Sequence, residues 1–315
     1  MARVMTALLI LALMSAPAAG QEEHREILAE KFQKAIEQVA WELPGVMGIS
    51  VIDIETKQTF AVNDALVFPQ GSAIKVSVLV GMYVRQARGE MDVGQSIPIR
   101  AGDRVGGSGY LRHFGDGTST MSLHDLAVLM ITVSDNMATN ILIDQVGMAN
   151  VTAIMAELGF PKTKLQRKMM RQEESARGNE NLSTPVQAAR IMARILECDL
   201  PIDEPDCHEM QAVLAIPHAG PIEDAIPSGI RVLQKTGSIT GVRTSWGAVD
   251  LPGRPYALAV MGNYGETNEI SDEIETIARL SHWYFSRLAG ATDYGTRIPV
   301  ELLERIKGRG STGSP

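Results

Sequence analysis

The chain is poor in cysteine and in aromatic side chains, with two Cys and only 5% Phe, Trp and Tyr in 315 residues. Two cysteines are too few for a disulfide-built scaffold or a cysteine-rich zinc module. The six histidines (His24, His113, His124, His208, His218 and His282) have no paired ligand spacing, so no metal centre and no other cofactor is expected. Long basic runs are missing as well, and the formal charge is −8, which argues against nucleic acid as a partner. No internal repeat or low-complexity linker breaks the body of the chain. What remains is an ordinary globular composition, 45% hydrophobic and 21% charged, long enough for a large core.

The N-terminus departs from that ordinariness. Arg3, the apolar stretch from Val4 to Met14 and the small residues of 15–20 have the pattern of a secretory signal peptide, expected over 1–20. The apolar run is short of the ~20 residues that span a bilayer, so no stable membrane insertion is expected after cleavage. The mature protein is expected to work in the periplasm or outside the cell, as a monomer. In an oxidising compartment Cys198 and Cys207, nine positions apart across a Pro-containing loop, are expected to form a disulfide.

Periodicity predicts a helix over 22–42, strands over 48–54 and 58–62, then helices over 72–91, 122–133, 137–146, 149–157, 184–197 and 207–215. Strands return at 230–236, 244–250 and 256–263, and a last helix covers 270–288. Strands grouped at the two chain ends, not alternating with helices, call for an α+β fold with an antiparallel or mixed sheet. The predicted organisation is an α/β lobe of 21–64 and 220–290, flanked by N- and C-terminal helices, with an inserted helical lobe of 65–219. A tail of 291–315 follows, its Gly/Ser-rich end disordered. A ligand would sit between the lobes.

Three short motifs stand at element boundaries. Residues Ser72-Ala-Ile-Lys75 place a lysine one helical turn from a serine, and a helix start favours an alkoxide on Ser72. Lys75 can serve as a base only if burial or a second cation lowers its pKa. Ser134-Asp-Asn136 ends a very apolar helix; Ser134 can pass a proton and Asn136 can grip a substrate carbonyl. Lys235-Thr-Gly237 ends an apolar strand, where Lys235 and Thr236 can hold an anion and Gly237 lets the backbone approach closely. A Ser-x-x-Lys is expected about once by chance in such a chain, but each triplet only ~0.05–0.1 times.

Together and in this order, the three motifs are the signature of class A β-lactamases and penicillin-binding proteins. The chain resembles that superfamily, class A in particular, to about residue 290, most closely over 131–143. The resemblance implies that Ser72 is acylated, that Lys75 is its base, and that Ser134 relays the proton to the departing nitrogen under the charge of Lys235. It implies an oxyanion hole on the backbone N–H groups of Ser72 and Ser238. Arg243 is expected to reach the substrate carboxylate from the next strand, and Tyr110 resembles an aromatic at the cleft entrance.

One stretch departs from the pattern. The family's cleft loop carries Arg-x-Glu, whose glutamate activates the deacylating water. Here Arg167 matches, but Met169 stands at the glutamate position. Glu173 is favoured over Glu174 as a replacement acid; the other reading is that both are solvated. The substrate is therefore a β-lactam or a peptidoglycan stem peptide. The activities open to the chain are β-lactamase, D-Ala-D-Ala carboxypeptidase-like enzyme, or a sensor that stays acylated.

Overall fold

The structure is a computed structural model that describes residues 19–114, 118–292, 294–303 and 305. Nearly all of the expected signal segment, and the end of the expected tail, lie outside the described residues. In chain order the elements are α1 (Ala19–Glu42), β1 (Val46–Asp53), β2 (Thr59–Val62), β3 (Phe68–Pro69), a 3₁₀ turn (Gly71–Ile74) and α2 (Lys75–Ala87). Next come β4 (Ser96–Pro98), β5 (Thr120–Ser122), α3 (Leu123–Thr132), α4 (Asn136–Val146), α5 (Met148–Glu157) and α6 (Gln172–Ala176). The rest are β6 (Leu182–Ser183), α7 (Pro185–Leu196), α8 (Glu204–Leu214), α9 (Pro221–Ala225), β7 (Arg231–Ile239), β8 (Val242–Asp250), β9 (Tyr256–Asn263) and α10 (Thr267–Ala289).

The fold is α+β. Five antiparallel strands form one sheet in the order β2-β1-β9-β8-β7, so strands from the two chain ends interleave. The β1–β9 pairing runs from Val46 opposite Asn263 to Asp53 opposite Tyr256. It fixes which side chains face which layer, because alternate residues point to opposite faces. One face takes α1 and α10. There the few aromatics gather: Phe32 stacks on Tyr284 at 4.8 Å and meets Phe60 edge-on at 4.8 Å, while Tyr256 stacks on Phe285 at 4.3 Å. Such pairs each stabilise by about 0.5–1.5 kcal/mol beyond their burial.

The other face takes α7 and the helical block around α2. From Val76 to Val84 every residue of α2 is buried. A helix apolar all round belongs inside a core, and α3, α4, α5 and α8 surround it. Caps set the boundaries. Ser122 accepts from the Asp125 amide at α3, Asp135 from Ala138 at α4, and Thr184 from Gln187 at α7, each typically contributing ~1 kcal/mol. Cys198 and Cys207 are disulfide-bonded, with Cα atoms 5.7 Å apart, which ties the end of α7 to the start of α8. Helix α6, helix α9 and the two-stranded pairs β3–β6 and β4–β5 are too short for a periodicity signal and were not expected from sequence. Among the described residues no helix is long and apolar enough to cross a membrane.

Candidate active site

Ser72 does not open an α-helix. It sits in a single 3₁₀ turn, Gly71–Ile74, and α2 begins at Lys75. At three residues per turn, positions i and i+3 eclipse, and the Lys75 amide donates back to the Ser72 carbonyl. Gly71 takes φ +51°, and a Cβ there would meet the Ser238 amide nitrogen at 2.7 Å. Glycine answers both demands. The amide of Ser238 and the turn that carries Ser72 are thus brought together, as the expected oxyanion hole requires.

Gln70 holds the turn from behind. Fully buried, it donates from Nε2 to the Phe68 carbonyl at 2.7 Å and accepts at Oε1 from the Trp246 indole N–H at 2.8 Å. Its carbonyl accepts from the Ala73 amide at 3.1 Å and from the Thr244 hydroxyl at 2.9 Å. A Cβ on Gly237 would lie 2.0 Å from that same carbonyl oxygen. Gly237 was expected to let the strand approach a bound anion; what its missing Cβ admits in the structure is the backbone of the turn that carries Ser72, close against the edge strand β7. Sequence reasoning missed Gln70 and Thr244, because their partners lie more than a hundred residues away.

Lys75 is wholly buried. Its Nζ lies 2.7 Å from the Ser134 carbonyl, 3.0 Å from Ser134 Oγ and 3.1 Å from Asn136 Oδ1. Two of these partners only accept and the hydroxyl can donate, so a neutral amine satisfies all three contacts. Burial drives its pKa well below the ordinary lysine value, the charge of Lys235 lowers it further, and Asp135 opposes. Ser134 is held at φ +53°, a conformation rare for serine, and strain of this kind clusters at functional sites. Asn136 Nδ2 donates to the Gly106 carbonyl at 3.2 Å. Asp135 caps α4 and also accepts from the amides of Tyr110 and Leu111 at 2.7 and 2.8 Å, fixing the 106–111 loop over the cluster. Tyr110 itself is exposed at the rim.

Lys235 is also buried, and burial lowers its pKa to about 8. Along β7, Lys235 and Gly237 are buried towards the helical block, while Thr236 is half-buried and Ser238 exposed at the free edge. Arg243 sits on β8 opposite Ser238 of β7. Its neighbour Thr244 points to Gln70, so alternation turns Arg243 to the opposite face, where Nε donates to Ser271 Oγ of α10 at 3.2 Å. By the same alternation that face carries Thr236 and Ser238, the cross-strand partner of Arg243.

The loop over 167–180 is closed by a largely buried ion pair, Arg167 Nη2 to Glu180 Oε1 at 2.8 Å. An acid thirteen positions after the arginine was the one sequence signal for this closure. Asn140 brackets the backbone of Met169, with Oδ1 accepting from its amide at 2.8 Å and Nδ2 donating to its carbonyl at 3.2 Å. The Met169 side chain is buried in the apolar cluster that also holds Ala73 and Ile74. Met170 takes φ +63°, and its sulfur lies 2.9 Å from where a Cβ on Gly107 would begin, a point 2.4 Å from Asn136 Nδ2. Glu173 lines a hollow with Asn140 and Met169, its carboxylate half exposed and paired with Arg171 at 3.5 Å. Glu174 is committed to Arg177 and Asn179, which lower its pKa. The loop presents thioethers where its relatives' pattern has a carboxylate.

Comparison with known proteins places this geometry. The sequence pattern of the β-lactamase enzyme family matches residues 30–285. A β-lactamase from Rhodobacter capsulatus is 28% identical over 207 residues, 62% of this chain and 65% of that protein, so the chain spans just under two thirds of that relative's length. The crystal structure of a β-lactamase from Sphaerobacter thermophilus aligns with TM-score 0.74 and 30% identity, over 81% of this chain and 97% of that one. A PBP-A mutant, described as an acyl-enzyme complex with penicillin G, shares the fold with TM-score 0.74 at 23% identity, over 82% and 97% of the two chains. With a match this long and a fold this similar, the chain belongs to the β-lactamase enzyme family.

Proposed function

We propose that the chain is a serine acyl-transfer enzyme that opens β-lactams through an ester on Ser72, and that it releases this ester slowly. The observation that carries the reading is the buried Lys75, its pKa driven down by burial, one 3₁₀ turn on from Ser72 and hydrogen-bonded to Ser134 and Asn136. In this mechanism neutral Lys75 takes the proton of Ser72 as Oγ bonds to the lactam carbonyl carbon. The N–H groups of Ser72 and Ser238 receive the oxyanion, and one such donor is worth about 2.7–4 kcal/mol in the transition state. The ring C–N bond then breaks, and the proton reaches the departing nitrogen through Ser134. Lys235 supplies the positive charge for that relay and, with the Thr236 hydroxyl as a hydrogen-bond donor, holds a substrate carboxylate. Asn136 orients the acyl side chain.

Deacylation needs a water and a base. With Met169 in place of an acid, that step lacks a general base, a loss typically worth ~10²–10⁴ in rate. This favours a second reading, in which the physiological substrate is a peptidoglycan stem peptide and β-lactams are slow suicide substrates. Both readings place the protein outside the cytoplasmic membrane, consistent with the Cys198–Cys207 disulfide. The test is covalent labelling by benzylpenicillin followed by intact-mass spectrometry. Wild type gains one adduct and Ser72→Ala none; an adduct on Ser72→Ala sinks the mechanism.

A further inference from the structure

A hollow of about 550 Å³ opens where α1, α9 and α10 meet, on the face of the sheet away from Ser72. Its apolar lining comes from Phe32, Ala35, Pro227 and Leu280, and its size is that of a small-molecule site. The mouth is basic. Lys31 and Arg287 both line it, and neither has a carboxylate partner among the described residues; Arg279, also there, pairs with Glu275. Arg287 instead lies over the Trp283 ring, 3.8 Å from its centroid, and donates to the Trp283 carbonyl. His282 adds a ring nitrogen, Nδ1, that is buried with no hydrogen-bond partner. In a chain of net charge −8, two uncompensated cations around an apolar hollow are a local inversion of sign.

We infer that this hollow binds a small, free aromatic carboxylate, its ring on Phe32, Leu280 and Trp283 and its charge at the mouth beside Lys31 and Arg287. Apolar area supplies the attraction and the two cations select an anion over a neutral analogue. The site is separate from the Ser72 cleft and does not depend on the proposed reaction.

Calorimetric titration with 2-naphthoate, and with neutral 2-naphthylmethanol as control, tests it. The expected result is saturable one-to-one binding of the acid, weakened by salt, with the alcohol bound at least about fivefold less tightly. Lys31→Ala and Arg287→Ala should each weaken the acid by roughly two- to fivefold, the range for a partly exposed charge pair. Ala35→Trp, which fills the hollow, should abolish binding, with Ala225→Phe as a second filling variant if the first folds poorly. Prior acylation of Ser72 by benzylpenicillin should leave the affinity unchanged. Absence of saturation at millimolar 2-naphthoate, equal binding of the alcohol, or loss of binding on acylation of Ser72 would each overturn the assignment.

Discussion

Lys235 contains a conflict between stability and function that can be measured. Its pKa falls to about 8 because burial penalises the ammonium. The folded state therefore holds fewer protons than the unfolded state between pH 8 and the ordinary lysine value of 10.5, and this group's penalty is full below pH 8 and fades as pH rises through that window. Lys235→Met should accordingly stabilise the protein at pH 7, by up to about 3 kcal/mol, with the gain shrinking towards pH 10. The same variant should acylate far more slowly, and wild-type acylation should fall as pH rises through about 8, where the cation is lost. Thermal melts at pH 7 and 10, alongside acylation rates from pH 6 to 10, check both. A variant that is less stable at pH 7 yet acylates normally contradicts this account of Lys235.

At the scale of elements, the loop and the disulfide carry the predictions. Met169→Glu puts a carboxylate at the position that Asn140 brackets. Acyl-enzyme lifetime should shorten at least about tenfold, while stability drops by a few kcal/mol because a carboxylate enters an apolar cluster. Stopped-flow deacylation and urea melts read the two effects; an unchanged lifetime in a folded variant would mean that water does not approach from this side. Cys198→Ser with Cys207→Ser releases a nine-residue constraint between α7 and α8. It should cost about 2–3 kcal/mol on the chain-entropy argument, with Ser72 labelling intact. These elements also mark what the sequence could disclose. Ser72, Lys75, Ser134 and Lys235 lie in short motifs at element boundaries, and the strands and long helices announce themselves by period. The face that Arg243 takes was not legible in the sequence, because it depends on register, and the short β7–β8 hairpin sets that register through pairings such as Ser238 opposite Arg243. Gln70 was invisible for a related reason: its partners Trp246 and Thr244 are brought close only by the sheet.

Across the whole molecule, the sheet and the helical block meet where all three motifs converge, and the two faces of the sheet do different work. One face, with α1 and α10, is an aromatic core. The other presses the edge strand β7 against the turn that carries Ser72, with Lys75 and Lys235 buried and Met169 buried in the apolar cluster that holds Ala73 and Ile74. Such an arrangement predicts an enzyme whose acylation is fast and whose release is slow. A time course of intact mass after mixing with stoichiometric benzylpenicillin measures this directly. The account predicts complete conversion to a single Ser72 adduct of unchanged penicillin mass, which then persists while free penicilloate accumulates only slowly. Rapid appearance of penicilloate with no adduct detectable at any time point would contradict it.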